Sequence, residues 1–471
     1  MNKIVLFVSL VFFISCSSQN EQDANSSQPN ILFIMVDDLK TELGCYGKAH
    51  IVSPNIDKLA EKGLLFNRAY VQNPVCGASR ASILSGLRPT INRFWDYKSM
   101  IDEDAPGTTT LPQQFKENGY YTLSNGKIFH ILDDSEERSW SEPAWHVSDR
   151  NGRTGRTMLD EDSPNYIGGT KNRGPYYESP EVEDSAYTDG KILNKSIADL
   201  KRLSEKKEPF FLAVGFLKPH LPFYAPKKYW DLYNSDSIEI AHNKERPENA
   251  PSSLVGSPEI RFYHGKNIEY NSEEYHKKSR HGYYACVSFA DALVGKLLRT
   301  LESLSLDENT IVVLVGDHGW HLGEHNFWGK HNTLHNAINA PMIIKAPGFK
   351  KNTKTDALVE FVDIYPTLCE LAGIDVPKHV QGKSFVPLLE NPTRTWKEAV
   401  FTRFEYGNAV VTDNYTYTEY SGNGLEESIL YDLEKDAQEN INVVDKKEYE
   451  EVAKSLKTLL KDGYSTVLLK N

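Results

Sequence analysis

The stretch ILFIMVDD, residues 31–38, is a continuous apolar run that ends in a pair of carboxylates. A run of this kind, without polar alternation, predicts a strand that is buried on both faces. The stretch TIVVLVGDHG, residues 310–319, repeats the arrangement with a carboxylate and a histidine after the apolar run. Because open α/β sheets gather ligands at the carboxyl ends of their strands, the two stretches predict such a sheet with a polar site at one edge.

Three carboxylates, those of Asp37, Asp38 and Asp317, would meet at that edge. This set suits a hard cation such as calcium, with magnesium as the alternative. The competing interpretation is that Asp37 and Asp38 cap a helix or form a turn, and that Asp317 and His318 belong to an ordinary turn.

Apolar runs and helical periodicities alternate along the first 385 residues. Further strands are predicted at residues 210–216 and 341–345, and helices at residues 56–63, 78–86, 188–205 and 280–304. This alternation predicts a large, mostly parallel sheet with helices on both faces. After residue 385 the pattern changes to short strands at residues 399–404, 409–413, 415–420 and 429–433, followed by a helix at residues 446–460. The C-terminal part is therefore predicted to be a small antiparallel sheet with a helix.

Length and charge limit the class of protein. The chain has 471 residues, enough for one large and one small domain, and its 25% charged and 39% hydrophobic residues are ordinary for a globular protein. The formal net charge of −12 argues against nucleic acid and against an anionic membrane surface as partners. An anionic substrate remains compatible, because a cation and a few basic side chains can make one pocket locally positive.

The first residues predict export. Lys3 precedes an apolar stretch at residues 4–14 that is too short to span a bilayer and that leads into Ser15 and Cys16. The pattern resembles a bacterial lipoprotein signal over residues 1–16, with Cys16 as the lipidated residue, and residues 17–28 are predicted to be a disordered tether. We expect a lipoprotein of the cell envelope that faces the periplasm or the cell surface. The alternative is a soluble secreted or periplasmic form that is cut nearby.

Cys76 opens the stretch CGASR, residues 76–80, which continues through Leu84 to Gly86. The stretch resembles the signature of the type I sulfatases, which is read by enzymes that oxidise its cysteine to 3-oxoalanine, also called formylglycine. A hydrated aldehyde offers two hydroxyls, one to attack sulfur and one to expel sulfate, and dividing a hard step in two is the logic of covalent catalysis. The competing interpretation is a small buried thiol before a helix.

The resemblance covers most of the chain and is to the branch that includes iduronate-2-sulfatase. It is carried by VDDL (36–39), GCYG (44–47), SPNID (53–57), FKENGY (115–120), GKIFH (126–130), KPHLPF (218–223), DHGW (317–320), GEH (323–325) and WGKH (328–331). Ala78 stands where many sulfatases have proline. His318 stands where many have asparagine, although histidine suits this branch.

The resemblance implies a fold and a domain division. The fold would be the alkaline-phosphatase-like sulfatase fold, with a catalytic domain at residues 29–385 and an α+β subdomain at residues 386–471. Apart from Cys16 and Cys76, three cysteines remain, an odd number that does not imply a disulfide framework. Cys45, Cys286 and Cys369 are expected to be small buried residues, with one bridged pair as the alternative.

The resemblance also assigns the cation site and the nucleophile. Asp37, Asp38, Asp317 and His318, together with an oxygen of the matured residue 76, would hold one calcium ion per chain. Asp317 would in addition receive the proton of the attacking hydroxyl.

Further catalytic roles follow from the same resemblance. Arg80 lies about one helical turn after residue 76, and its side chain would extend back towards that residue. The planar N–H donors of its guanidinium suit an oxyanion. Lys127 and Lys330 would supply point charges for the sulfate oxygens. His130 would be the base that drives collapse of the sulfated intermediate, and His220 the acid that protonates the leaving sugar oxygen.

Trp320, Lys218 and His331 are predicted to contact the substrate. Each has a simpler alternative, as a core aromatic residue, an exposed lysine or a supporting histidine. Two long segments of weak periodicity, at residues 133–184 and 234–274, are predicted either to wall the pocket or to decorate the surface.

The implied function is that of a sulfuric ester hydrolase acting on a sulfated polysaccharide or oligosaccharide. A 2-O-sulfate on a uronic acid or on an algal sugar, as in ulvan, carrageenan or glycosaminoglycan, is among the expected targets. A formylglycine-generating or anaerobic sulfatase-maturating enzyme would be a partner, and the membrane would be contacted only through the lipid anchor. Two alternatives are a phosphodiesterase or phosphonate hydrolase of the alkaline-phosphatase superfamily, and a non-catalytic glycan-binding lipoprotein.

Overall fold

The computed structural model describes residues 28–147, 175–263 and 268–468. The predicted signal peptide, its Cys16 and the predicted tether up to residue 27 lie outside the described residues, as does the middle of the first long loop. Within the described ranges, no helix combines the length and the apolar composition that crossing a membrane requires.

A seven-stranded sheet forms the centre of the molecule. Its strands are β1 (Asn30–Val36), β2 (Leu64–Phe66), β3 (Tyr121–Gly126), β4 (Phe210–Phe216), β5 (Thr310–Gly316), β6 (Met342–Lys345) and β7 (Thr353–Thr355). The spatial order is β7-β2-β6-β5-β1-β4-β3, and only β6 runs antiparallel to its neighbours. The predicted mostly parallel sheet is confirmed.

The packing of strand β1 explains why its residues 31–36 are all apolar. Leu32, Ile34 and Val36 belong to one hydrophobic cluster, whereas the alternate residues of β1 belong to another. Side chains alternate across a strand, so both faces of the sheet are packed against apolar residues.

The described part of the chain has seven helices of seven or more residues, six of them around the central sheet and the last on the C-terminal sheet. They are α1 (Pro54–Glu61), α2 (Cys76–Ser85), α3 (Leu111–Glu117), α4 (Thr188–Leu203), α5 (Glu273–Ser303), α6 (Ile364–Leu371) and α7 (Glu450–Asp462). Residues of α1, α4 and α5 join the first cluster, and residues of α2, α3 and α6 join the second, so helices cover both faces. Shorter helices span Ile101–Asp104, Glu136–Ser139, Lys227–Trp230, His335–Ile338, Val386–Glu390 and Ser465–Leu468.

The C-terminal part is a four-stranded antiparallel sheet. Consecutive hairpins join β8 (Ala399–Phe404), β9 (Gly407–Thr412), β10 (Tyr415–Gly422) and β11 (Leu425–Asp432). Helix α7 packs on this sheet around its own apolar cluster. The predicted fold class is therefore confirmed for both parts, while the boundary at residue 385 remains a prediction.

The structure departs from the predicted elements in several places, since the short strands β2 and β7 and the helices α3 and α6 were not predicted, and two further departures have a clear cause. Strand β3 was not predicted, because its sequence YTLSNG carries polar residues that the fold satisfies by hydrogen bonds. The Thr122 hydroxyl donates to the Ser139 carbonyl (2.9 Å), and the Asn125 amide donates to Asp199 (2.8 Å). Helix α5 begins seven residues earlier than predicted, after Ser272, whose hydroxyl caps it by accepting from the next turn.

Candidate active site

The carboxyl ends of four neighbouring strands supply the polar residues of one site. Asp37 and Asp38 follow β1, Asp317 follows β5, Lys127 follows β3, and the loop after β4 carries His220. The backbone N–H of Asp37 donates to the carbonyl of Phe216 at the end of β4 (3.0 Å), and that of Asp317 donates to the carbonyl of Val36 (3.2 Å). These bonds hold the strand ends together, as the parallel sheet predicts.

Cys76 is the first residue of α2 and lies buried against this edge. Its Sγ is 3.1 Å from Nε2 of His318, 3.3 Å from Nζ of Lys330 and 3.8 Å from Oδ1 of Asp38. The next residue must be glycine, because a Cβ on Gly77 would lie 2.4 Å from the backbone oxygen of Tyr97.

Asp38 and Lys330 form the first charged pair beside the thiol. Lys330 Nζ donates to Asp38 Oδ1 at 2.5 Å, and the backbone N–H of Asp38 donates to Asp317 Oδ1 at 2.9 Å. Burial raises the pKa of Asp38 well above its usual value. Burial alone would lower the pKa of Lys330, but its acidic neighbours, Asp38 foremost, together outweigh burial and raise that pKa well above its ordinary range.

Asp37 belongs to a second set of charges. It accepts hydrogen bonds from Lys127 Nζ (2.6 Å) and from Arg80 Nη2 (3.2 Å). Burial alone would raise the pKa of Asp37, but Lys127 and the other cationic neighbours hold it well below the usual range. Arg80 also donates from Nε to Asp317 Oδ2 (2.9 Å), so one wholly buried guanidinium orients two of the three carboxylates.

The donors fit a hard cation. One ligand atom from each of Asp37, Cys76, Asp317 and His318 lies within 4.8 Å of the others. In addition, Asp38 Oδ2 is buried and makes no hydrogen bond within the described ranges, which is costly for a carboxylate unless an ion is its partner. Carboxylate oxygens are the ligands that calcium and magnesium prefer.

Comparisons with known proteins agree with this geometry. Residues 29–374 match the family model described as Sulfatase, and residues 323–465 match the model of the N-sulphoglucosamine sulphohydrolase C-terminal region. Human iduronate 2-sulfatase is 33% identical over 424 residues, which is 81% of this chain and 76% of that protein. The chain belongs to the sulfatase family.

Two solved structures share the fold of this sulfatase. BT4656, in complex with its substrate D-glucosamine-2-N,6-O-disulfate, matches with a TM-score of 0.74 at 24% identity, over 93% of this chain and 97% of that one. The phosphonate monoester hydrolase of Agrobacterium radiobacter matches with a TM-score of 0.74 at 20% identity, over 92% and 95%. Family membership makes this protein a sulfuric ester hydrolase, whereas the fold alone is shared with hydrolases of other esters.

His220 and His130 occupy different surroundings in this sulfatase. Nδ1 of His220 lies 2.6 Å from the Leu221 carbonyl, so Nδ1 donates, and Nε2 faces Asp38 (3.8 Å) and Glu259 (3.7 Å). Burial and the charge of Lys330 lower the pKa of His220 well below its usual value. Burial, with the charge of Lys127, does the same for His130, whose Nδ1 has no partner within the described residues.

The three residues predicted to contact the substrate take supporting positions. Lys218 Nζ donates to the carbonyls of His220 (3.0 Å) and Pro222 (2.5 Å), which directs it to its own loop. Trp320 has no solvent exposure, and its ring lies 5.0 Å from Lys330 Nζ, so it packs behind that ammonium rather than forming an open wall. The ring of His331 stacks on Phe404.

Glu259 is a site residue that sequence reasoning missed. Its Oε2 lies 3.7 Å from His220 Nε2 and 3.9 Å from Lys330 Nζ. The signal available was its place in the second long loop, residues 234–274, which was one of two segments predicted either to wall the pocket or to decorate the surface. This part of the loop does reach the site.

The four cysteines within the described ranges, at positions 45, 76, 286 and 369, are all free thiols. The alternative in which one pair of them forms a bridge is therefore wrong. Cys286 and Cys369 are buried as expected, whereas Cys45 is only half-buried.

Proposed function

We propose that this sulfatase removes sulfate from the sugars of a sulfated polysaccharide or oligosaccharide, with residue 76 acting as formylglycine beside one calcium ion. The observation that carries the proposal is the convergence of one cysteine, three carboxylates and three cationic side chains at one sheet edge. No single member of this set is diagnostic, but together they provide a nucleophile, a cation site and charges for an anionic group.

The protonation state of the Cys76 thiol supports the proposed oxidation of this residue. Burial raises the pKa of Cys76 to about 11, so the thiol is neutral near pH 7 and a weak nucleophile. Once oxidised and hydrated, residue 76 would supply one hydroxyl that attacks sulfur and another that releases sulfate.

Calcium would be held by Asp37, Asp38, Asp317 and His318 and would supply a Lewis acid for the sulfate group. The three carboxylates are already matched by three cations, Arg80, Lys127 and Lys330. Two positive charges from a divalent cation would therefore remain for the substrate. They would offset the single charge of a sulfate ester and the negative charge that develops on the attacking oxygen.

The protein's own side chains would bind the sulfate and move protons. Lys330 lies beside the Cys76 thiol and Lys127 beside Asp37, and both would contact sulfate oxygens. Arg80 would hold the carboxylates in place. His220 would protonate the leaving oxygen through Nε2, which is directed by the bond from Nδ1, and His130 would act as the base that frees the sulfate.

Protonation of His220 would accompany substrate binding. In the substrate-free protein, burial and Lys330 disfavour its charged form. A bound sulfate ester brings a negative charge next to the same lysine and would counter that effect, while Glu259 already favours the charged form.

The substrate class is proposed from the relatives. One is named for iduronate 2-sulfate, and the substrate of another is a disulfated glucosamine. An acidic, sulfated glycan of the glycosaminoglycan kind is therefore favoured, with an algal sugar sulfate as the alternative. We further propose that the protein is matured by a formylglycine-generating or anaerobic sulfatase-maturating enzyme and anchored to the cell envelope through Cys16.

The test combines one mass measurement with two ester substrates. The tryptic peptide that contains residue 76 is analysed by mass spectrometry in active native protein, and sulfate release from sulfated oligosaccharides is compared with hydrolysis of a phosphonate monoester. Formylglycine at residue 76, one calcium per chain and preference for sulfate are expected. Unmodified thiol in fully active protein would refute the nucleophile, and two metals with preference for the phosphonate would favour the alternative hydrolase.

A matched pair of variants separates chemistry from folding. Cys76→Ala should abolish sulfate release while leaving the melting temperature nearly unchanged, because the position accepts a small buried residue. Cys286→Ala, at a thiol buried elsewhere, should retain activity.

A further inference from the structure

A second cleft, of about 340 Å³, lies between the central domain and the C-terminal sheet. Its walls include Gln72, Arg88, Arg93, Thr402, Arg403 and Tyr464, and they include none of the residues of the active site. We propose that this cleft binds a second sulfate or carboxylate group of the same acidic glycan whose sulfate ester occupies the active site. The inference rests on the proposed function and names a subsite for it.

Arg403 is the strongest sign of an anionic ligand. Its side chain is only 9% exposed, and its Nε is buried without a hydrogen-bond partner. Nη2 donates to the carbonyl of Glu405 (2.8 Å), and the guanidinium lies 5.3 Å from the ring of Trp95. Within the described ranges no carboxylate lies within salt-bridge distance of it, and burial lowers its pKa. A guanidinium that is buried without a counter-charge is costly, and an anion would relieve that cost.

Arg93 adds a second unmatched charge. It donates from Nε (3.0 Å) and Nη2 (2.7 Å) to the carbonyl of Arg88, and no carboxylate of the described residues pairs with it. Burial lowers its pKa as well. Arg88, by contrast, is neutralised by two bonds of 2.5 Å to Glu360. The comparison shows that the fold pairs an arginine with a carboxylate where the charge is structural and leaves two arginines of the cleft unpaired.

Other polar atoms of the cleft also favour an anionic ligand. Thr402 Oγ1 and Arg88 Nε are buried in the cleft wall without partners among the described residues. The acidic residue in the wall is Glu419, and it is engaged by Lys457 at 2.9 Å. Among the charged side chains of the cleft, arginines therefore outnumber acids, in a chain whose net charge is −12. That overall charge disfavours nucleic acid, so a small anionic group on a carbohydrate is the better occupant.

The position of the cleft fits a neighbouring unit of the same glycan. Gln72 lines it and precedes Cys76 by four residues, which limits their Cα separation to about 14 Å. Arg403 lines it, and the next residue, Phe404, stacks on His331 beside Lys330. The cleft therefore adjoins the active site along the chain, and the proposal requires that an oligosaccharide with one sulfate at residue 76 present another anionic group to Arg403.

The test uses Arg403→Met, which keeps much of the apolar stem and removes the charge, and Arg93→Met as an independent second variant. Exposed Arg394→Met is the matched control, since it removes one positive charge outside the cleft. Each full-length protein is assayed with 4-nitrophenyl sulfate and with the sulfated oligosaccharide that the wild type hydrolyses best. Binding of a heparin-derived tetrasaccharide is measured separately by calorimetry, and melting temperature reports folding.

Loss of one charge-assisted contact should weaken tetrasaccharide binding and raise KM for the oligosaccharide about ten- to hundredfold, with no change on 4-nitrophenyl sulfate. Equal loss on both substrates, or no loss on either by both cleft variants, would overturn the subsite. Stabilisation by inorganic sulfate that depends on Arg403, without any effect on the tetrasaccharide, would also overturn it and assign the cleft to free sulfate. If the wild type releases no sulfate from any substrate, the proposed function fails, while the binding measurement still decides the cleft.

Discussion

Replacement of His220 by alanine should separate two substrates whose leaving groups need different amounts of help. A sugar alkoxide leaves poorly and requires a proton, whereas nitrophenolate leaves without one. The structure gives His220 the right orientation for this role, because Nδ1 is committed to the Leu221 carbonyl at 2.6 Å and Nε2, which would be protonated when substrate binds, is directed towards the site. The variant removes the donor but leaves the nucleophile and the cation ligands intact.

The expected magnitude follows from general acid catalysis and from the contacts of the ring. A positioned acid contributes about 10²–10⁴-fold, or about 3–5 kcal/mol at the transition state. Glu259 lies 3.7 Å from Nε2 and stabilises the charged ring by about 1 kcal/mol if screened as in water and about 4 kcal/mol at an effective dielectric of 20. Glu259→Gln should therefore repeat the pattern of His220→Ala in a weaker form.

The assay compares kcat/KM on a sugar sulfate and on 4-nitrophenyl sulfate. We expect His220→Ala to lose about 10²–10⁴-fold on the sugar sulfate and less than about tenfold on the nitrophenyl ester. His281→Ala, at a histidine buried against the Trp230 carbonyl, is the control and should alter both substrates equally if it alters either. Equal losses on the two substrates by His220→Ala would remove His220 from the role of acid.

Three further predictions concern the metal, the buried charges and pH. Asp317→Asn keeps an oxygen for the Asp38 N–H, so it should retain the fold but lose calcium, measured by elemental analysis, and about a hundredfold or more of activity. Lys397→Met leaves Glu360 and Asp363 buried without their shared ammonium and should lower the free energy of unfolding by about 3–5 kcal/mol in a denaturant titration; a loss below about 1 kcal/mol would contradict this. Burial raises the pKa of Glu439 to about 8 from 4.5, so the fold retains a proton that the unfolded chain releases, and stability should fall as pH rises between those values. Glu439→Gln should remove that fall, with a higher Tm than the wild type at pH 8 and an equal Tm near pH 5, and parallel Tm profiles would refute it.

The central strands of the sheet could be predicted from the sequence, because a strand that is buried on both faces has a continuous run of apolar residues. The strands after which Asp37 and Asp317 stand are apolar after their first residues, Asn30 and Thr310, and their register places Val36 opposite Gly316. Strand β3 has no such apolar run, because it lies at the sheet edge and carries polar residues whose hydrogen bonds form only in the folded protein. Its prediction would have required knowing that Ser139 and Asp199 lie beside it.

Site residues that belong to a recognisable sequence motif could be predicted. A site residue that reaches the site only through the folding of a loop was missed. Cys76 and Arg80 share one helix, so their spacing alone relates them. Glu259 belongs to a loop without periodicity, and its distance from His220 depends on how that loop returns over the sheet. Trp320 was expected at the pocket wall, but its ring is wholly buried behind Lys330, since a motif specifies neighbours along the chain and not depth.

Strand β8 links the chemistry of the central sheet to the recognition proposed for the C-terminal sheet. Successive side chains of a strand point to opposite faces, and here Phe404 stacks on His331 whereas Arg403 lines the second cleft. A shift of the strand by one residue would exchange the faces of those two side chains, so the contact with His331 and the place of Arg403 in the cleft depend on the same register. Buried charges resist such a shift, because Glu360 accepts from Lys397 ahead of this strand and from the backbone N–H of Phe401 within it. A substitution that weakens this anchor should therefore disturb oligosaccharide binding before it disturbs turnover of a small aryl sulfate.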